Sequence, residues 1–186
     1  MNIAIYCGSA FGEDNSYTTK AKELVNVFYE KGINVVYGGS KQGLMGVIAN
    51  EAMRLGLTVT GVIPYSLINK EVENHHISQL FKVDTMAQRK EKMESLASGF
   101  IALPGGYGTF DEIFEVLSKL QLGYHSKPCA FYNINGYYDK LIEFLNQSVE
   151  AGFIEKRFID MVIISSDANE LLDKIIEFKP VKPKWE

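Results

Sequence analysis

The stretch from Phe100 to Leu117 constrains this chain most. Phe100-Ile101-Ala102-Leu103 is an unbroken apolar run, Pro104-Gly105-Gly106-Tyr107-Gly108-Thr109 is a turn, and Ile113-Phe114 with Val116-Leu117 repeat at helical spacing. A short run without polar alternation suits a strand covered on both faces, as in a parallel sheet. Glycines in the strand-to-helix turn let another molecule approach the backbone, and the free amides of the helix start, with its dipole, offer an anion site. A phosphate is the expected occupant.

The alternation repeats along the chain. Strands are expected at residues 3–6, 33–37, 58–63, 81–83, 129–132 and 161–164 in addition to 100–103. Helices are expected at 17–31, 47–55, 86–94 behind a cap at Asp84 or Thr85, from the glycine turn to about Gly123, and at 137–151 and 168–178. Residues 65–78 read as an irregular polar loop. The spacing predicts an α/β fold, a Rossmann-like three-layer sandwich with an open parallel sheet flanked by helices. One domain should span 1–186, with 179–186 a short tail.

Two further small-residue turns follow strands: Cys7-Gly8-Ser9-Ala10, and Gly38-Gly39-Ser40-Lys41-Gln42-Gly43-Leu44-Met45-Gly46. Carboxyl ends of strands are where such sheets bind ligands, which makes Gly8, Ser9, Gly39 and Gly43 candidates beside Gly105 and Gly106. The two commonest nucleotide fingerprints do not fit. A Walker A loop would need lysine where Leu44 stands, and no glycine turn combines Gly-x-Gly-x-x-Gly with an acid some 20 residues on.

Composition narrows the partners. A net charge of −4 with no basic stripe disfavours a nucleic-acid polymer, while a local amide nest still binds small anions. Two cysteines without ligand spacing suggest a reducing, cytoplasmic setting, and Cys7 reads as a small buried residue rather than a nucleophile. The amino-terminal residues run straight into a strand without a signal-peptide pattern, and no stretch approaches the ~20 apolar residues of a membrane span. His75-His76 reads as loop surface, so no metal is assigned.

Asp111 and Glu112 pose the sharper question. Thr109 and Glu112 have the spacing of a capping box, in which Glu112 would satisfy a backbone amide. Yet two acids beside a phosphate would repel it, unless one faces a different part of the ligand. A sugar fits, because a carboxylate about 4 Å from a cationic ribose centre stabilises it by a few kcal/mol at an effective dielectric of ~20. Arg89, one short helix end and one strand before the turn, is the guanidinium that a crossover would bring to the phosphate or the base.

These residues together resemble the Lonely Guy family of cytokinin-activating phosphoribohydrolases, also called lysine decarboxylase-like. The resemblance runs nearly end to end and rests on Cys7-Gly8-Ser9-Ala10, the 37–46 turn, Gly61-Val62-Ile63-Pro64, the 86–93 stretch with Arg89-Lys90, the 101–112 motif, and Gly136-Tyr137-Tyr138-Asp139-Lys140-Leu141. It implies hydrolysis of a nucleoside 5′-monophosphate, an N6-modified adenosine monophosphate in the cytokinin case, to free base and ribose 5-phosphate. Arg89 and Glu112 would be the catalytic pair. Gly106, Tyr107, Gly108 and Thr109 would hold the phosphate, with Lys90, Asp111, Glu71 and Ser118 in the substrate pocket. The resemblance further implies a homodimer without a cofactor. Ser40 stands where the family commonly has glycine, and Asp111 where it commonly has glutamate. The alternatives are a nucleotide or molybdenum-cofactor carrier of the same fold, which would not need the Arg89–Glu112 pair, and a decarboxylase, for which no cofactor-attachment motif is present.

Overall fold

The computed structural model describes residues 1–68 and 73–185. Its elements in order are β1 (Asn2–Tyr6), α1 (Ser16–Glu30), β2 (Asn34–Tyr37), α2 (Gly43–Arg54), β3 (Val59–Pro64), α3 (Tyr65–Ile68), β4 (Gln79–Val83), α4 (Met86–Leu96), β5 (Gly99–Ala102), α5 (Tyr107–Leu122), β6 (Cys129–Tyr132), α6 (Asp139–Glu150), α7 (Lys156–Asp160), β7 (Ile163–Ser165) and α8 (Ala168–Ile176). Seven parallel strands pair in the order β4-β3-β2-β1-β5-β6-β7. The chain winds outward from β1 to β4, then returns to the far side of β1 as β5. The carboxyl ends of β1 and β5 therefore form the topological switch point, where an open α/β sheet leaves a crevice.

Strand alternation divides the core in two. Ile3, Ile5 and Cys7 of β1 and its extension pack with Leu24, Ile48 and Leu171 from α1, α2 and α8. Ala4 and Tyr6 face the other way, toward Met93 of α4, Ile113 of α5 and Phe158 of α7. The expected Rossmann-like three-layer arrangement is what the chain adopts. Cys7 and Cys129 are both buried and free, and burial pushes both thiols well above their ordinary range, which disposes of Cys7 as a ready nucleophile.

Some boundaries differ from the periodicity. Helix α2 begins at Gly43 rather than at 47, because the second half of the glycine turn is itself its first turn. Strand β4 opens at Gln79 rather than at 81; as an edge strand it leaves Gln79 and Lys82 exposed, so its apolar signal is short. The 65–78 loop contains the single turn of α3. A 3-10 turn at Ile134–Gly136 precedes α6, leaving Tyr137 and Tyr138 in the connection, and α7 has no apolar periodicity long enough to announce it. Thr85 is the cap of α4: its hydroxyl accepts from the Gln88 amide at 3.1 Å. Among the described residues no helix is long and apolar enough to cross a membrane.

Candidate active site

The glycine turn begins α5 with Gly106 as its N-cap, and no side chain caps it. That overturns the capping-box reading, since Thr109 lies inside the first turn and Glu112 beyond it. The first backbone bond of the helix runs from the Phe110 amide to the Gly106 carbonyl at 3.1 Å. Among the described residues, none of the amides of Gly105, Gly106, Tyr107, Gly108 and Thr109 donates to anything. Unpaired amides at the positive end of a helix are an anion site in waiting.

The glycines of the turn are not equivalent. A Cβ at Gly105 would come within 2.1 Å of Thr109 Oγ1 and 2.8 Å of the Gly8 amide, so packing requires glycine there. At Gly106 and Gly108 a Cβ would meet nothing within 4 Å, and neither has a positive φ. The fold itself gives no reason for glycine at these two positions. Tyr107 between them is 93% exposed and makes no contact that explains it.

Arg89 on α4 and Glu112 on α5 meet behind this turn. Arg89 Nη1 donates to Glu112 Oε1 at 2.5 Å, and Nε donates to the Val62 carbonyl at 3.1 Å; the residues are only 7% and 6% exposed. A buried pair of this kind gains little net stability, because desolvation cancels most of its attraction. Burial lifts the Glu112 carboxyl above the ordinary glutamate value, and the Arg89 charge and hydrogen bond only partly oppose that. Nη2 of Arg89 lies against Gly38, where a Cβ would come within 2.0 Å.

A second set of charges joins the same two helices. Lys90 Nζ reaches Asp111 at 3.0 Å and Glu115 at 2.5 Å, while Lys119 pairs with Glu94 at 2.5 Å and Glu115 at 3.0 Å. Three of these pairs bridge α4 and α5, and Lys119–Glu115 runs along α5. Hydrogen bonding to Glu115, ahead of that to Asp111, raises the Lys90 amine above its usual value.

Ser118 is not part of this grouping. Its hydroxyl bonds back to the Phe114 carbonyl, and it borders a separate apolar groove of about 150 Å³ with Leu117, Phe158 and Met161. Glu71 lies outside the described residues. Gly39 has φ +75 and backs onto Ile63 and Leu80, so it shapes the turn rather than the crevice. Gly43 backs onto Ser9, and Gly8 onto Gly105, which brings the ends of β1 and β5 and the start of α2 together. Ser40 carries no positive φ: those of this turn fall on Gly39 and Gly43, and its hydroxyl accepts from the Gln42 amide at 3.1 Å.

A cleft of about 360 Å³ opens at the switch point, lined by Gly8, Ser9, Tyr17, Gly105, Gly106 and Tyr137 among others. Its walls come from the α1 and α2 side, whereas Arg89 and Glu112 stand on the α4 and α5 side, and neither lines it. The glycine turn is the feature the two share. Sequence reasoning missed Gly38, Glu115, the Val62 carbonyl and Tyr137. Glu115 was legible as the next acid on the Asp111 face of a helix; Gly38, Val62 and Tyr137 stood within the motifs, but the partners they act on are distant in sequence and gave their roles no local signal.

Comparison with known proteins places the whole chain. The family model described as possible lysine decarboxylase matches residues 45–175. The cytokinin riboside 5′-monophosphate phosphoribohydrolase LOG2 of Arabidopsis thaliana is 39% identical over 96% of this chain and 84% of its own. The rice enzyme LOG, of the same name and from Oryza sativa subsp. japonica, is 42% identical over 96% of this chain and 74% of its own. In three dimensions the chain resembles the X-ray structure of TM1055, with a TM-score of 0.72 at 18% identity, over 95% of this chain and 99% of that one. It also resembles the molybdenum cofactor carrier protein of Chlamydomonas reinhardtii, with a TM-score of 0.70 at 17% identity over 95% and 96%. At such identity these two structures speak for the fold alone. The extent and identity of the matches to the plant enzymes go further, and by them this chain belongs to the family of cytokinin riboside 5′-monophosphate phosphoribohydrolases.

Proposed function

We propose that the chain hydrolyses the N-glycosidic bond of an adenosine 5′-monophosphate, N6-modified in the cytokinin case, to free base and ribose 5-phosphate. The observation that carries this is the buried Arg89–Glu112 pair, whose Glu112 stands on the helix with unpaired first amides and whose Arg89 reaches it from α4. The amides of Gly105, Gly106, Tyr107, Gly108 and Thr109 bind the 5′-phosphate. Gly106 and Gly108 are bare because a ligand needs the space. Binding energy from this non-reacting group orients the ribose. Glu112, its carboxyl raised by burial, stabilises the cationic sugar and activates water as a general base, while Arg89 holds it in place and steadies the departing base. Lys90 and Asp111 border the pocket as an ion pair, with Gly8, Ser9 and Gly43 closing its β1 side.

Decarboxylation suits the site less well. A lysine that forms a Schiff base needs a depressed pKa, whereas Lys90 beside the pair is held protonated by Glu115 and Asp111. The same proposal has the chain acting as one nucleotide-binding domain, as a cytoplasmic homodimer. The apolar residues of α4 and α5 mostly face the sheet, and Met86 and Leu122 are left exposed for a partner to cover. The test is base release from AMP and from N6-isopentenyladenosine 5′-monophosphate, with the matching nucleosides and Glu112→Gln as controls. Release from monophosphates only, lost in the variant, is the expected result. Tight nucleotide binding without release would replace the enzyme with a carrier.

A further inference from the structure

The Gly136-Tyr137-Tyr138-Asp139 segment has no part in the chemistry above, yet both its tyrosines reach the glycine turn. Tyr138 Oη donates to the Leu103 carbonyl and Tyr137 Oη to the Gly105 carbonyl, each at 2.6 Å. Between them the Gly8 amide donates to the Pro104 carbonyl at 3.0 Å. Three successive carbonyls entering α5 are thus each held by a donor outside the turn.

In a trans peptide the carbonyl of one residue and the amide of the next point in opposite directions. Holding the Pro104 carbonyl toward β1 therefore turns the Gly105 amide away from β1. Holding the Gly105 carbonyl toward Tyr137 likewise turns the Gly106 amide away from Tyr137. The peptide that Tyr138 holds ends in Pro104, which has no N–H to aim, so Tyr138 anchors the turn and Tyr137 aims it. We propose that Tyr137 is a positioning residue for the anion site, its hydroxyl fixing the direction of the Gly106 amide.

The surroundings hold Tyr137 to this task. Its ring packs edge-on against Tyr138 and Tyr17, with centroids 5.0 and 6.0 Å away. The turn before it contains Asn135 at φ 52, the one non-glycine residue with positive φ among the described residues. Strain of that sort persists only where surrounding contacts enforce it. The Asn135 side-chain amide supplies them, donating to Asp14 Oδ2 at 2.9 Å and Ser16 Oγ at 2.6 Å, which ties the turn to the start of α1. Tyr137 is 40% exposed, whereas Tyr138 is buried, so the hydroxyl of Tyr137 can be removed without opening the core.

The inference rests on the reading that a phosphate sits at the start of α5, and its test separates the two. Inorganic phosphate is titrated calorimetrically into the wild-type protein and Tyr137→Phe, with Tyr29→Phe on the exposed face of α1 as control, and AMP kinetics are measured on all three. Loss of one aimed donor predicts a roughly five- to tenfold weaker phosphate Kd and a similar rise in KM for Tyr137→Phe. The kcat and melting temperature should stay near wild type. A wild-type protein that binds no phosphate would refute the phosphate reading itself. Equal phosphate affinity in wild type and Tyr137→Phe, or a fall in kcat at unchanged KM, would overturn the role of Tyr137 alone.

Discussion

Gly108→Ala should push stability and activity in opposite directions. Gly108 occupies the second position of α5 with a non-positive φ, and a Cβ there meets no atom within 4 Å. Alanine is therefore tolerated by the fold, and it removes conformational freedom from the unfolded chain. The gain is roughly 0.5–1 kcal/mol, which for a chain of this size raises Tm by about 1–4 °C. The same methyl tilts toward the helix N-terminus, as every Cβ on a helix does, and so projects at the phosphate proposed for the bare amides. Displacing one charge-assisted amide contact costs about 1.5–3 kcal/mol, a roughly ten- to hundredfold loss in kcat/KM for a nucleoside monophosphate. Calorimetric melting and steady-state kinetics on the same preparation would read both signs. A lower Tm would mean that the helix start needs its glycine for the fold, and unchanged kcat/KM would mean that no anion approaches it; either result refutes the reasoning.

Further expectations concern the pair and its supports. Glu112 must be ionised to stabilise a cation, and since burial raises its pKa, kcat/KM should fall on acidification with a midpoint above the ordinary glutamate value of about 4.3. A pH profile flat down to that value would contradict the assignment, as would Glu112→Gln keeping more than about a hundredth of the wild-type kcat. Gly38→Ala puts a Cβ 2.0 Å from Arg89 Nη2, so the guanidinium must move; about 1–3 kcal/mol of stability should be lost on denaturant unfolding and kcat should fall further than binding. Normal kcat there would separate Arg89 from the chemistry. Glu115→Gln cuts two partly exposed bridges, one from α5 to Lys90 of α4 and one along α5 to Lys119, and should cost less than about 1 kcal/mol, shrinking in 1 M salt.

Much of this site could be read from the chain because its components are local. A run such as Phe100-Ile101-Ala102-Leu103 followed by glycines and a helical repeat has one sterically sensible form, and the unpaired amides follow from helix geometry wherever that form occurs. Gly39 and Gly43 take positive φ for equally local reasons, and Ser40 between them does not. The capping-box reading of Thr109 and Glu112 failed for an instructive reason. Their spacing fits a cap, but the helix starts at Tyr107, and Glu112 lies far enough along it to face Arg89 instead.

What sequence alone determined was the alternating β/α order and the position of the glycine turn before α5, since each depends on neighbours within a few positions; Arg89 and Glu112 were marked by the motifs in which they stand. What only tertiary structure decided were the contacts that hold those residues in place. Gly38 makes room for Arg89, the Val62 carbonyl takes its Nε proton, Glu115 braces Lys90, and Tyr137 holds the Gly105 carbonyl. Each joins segments that meet only because β1 and β5 lie side by side at the centre of the sheet with the helices stacked on its faces. Strand order is set by the burial of both faces at once, a property of the whole chain that no short stretch encodes.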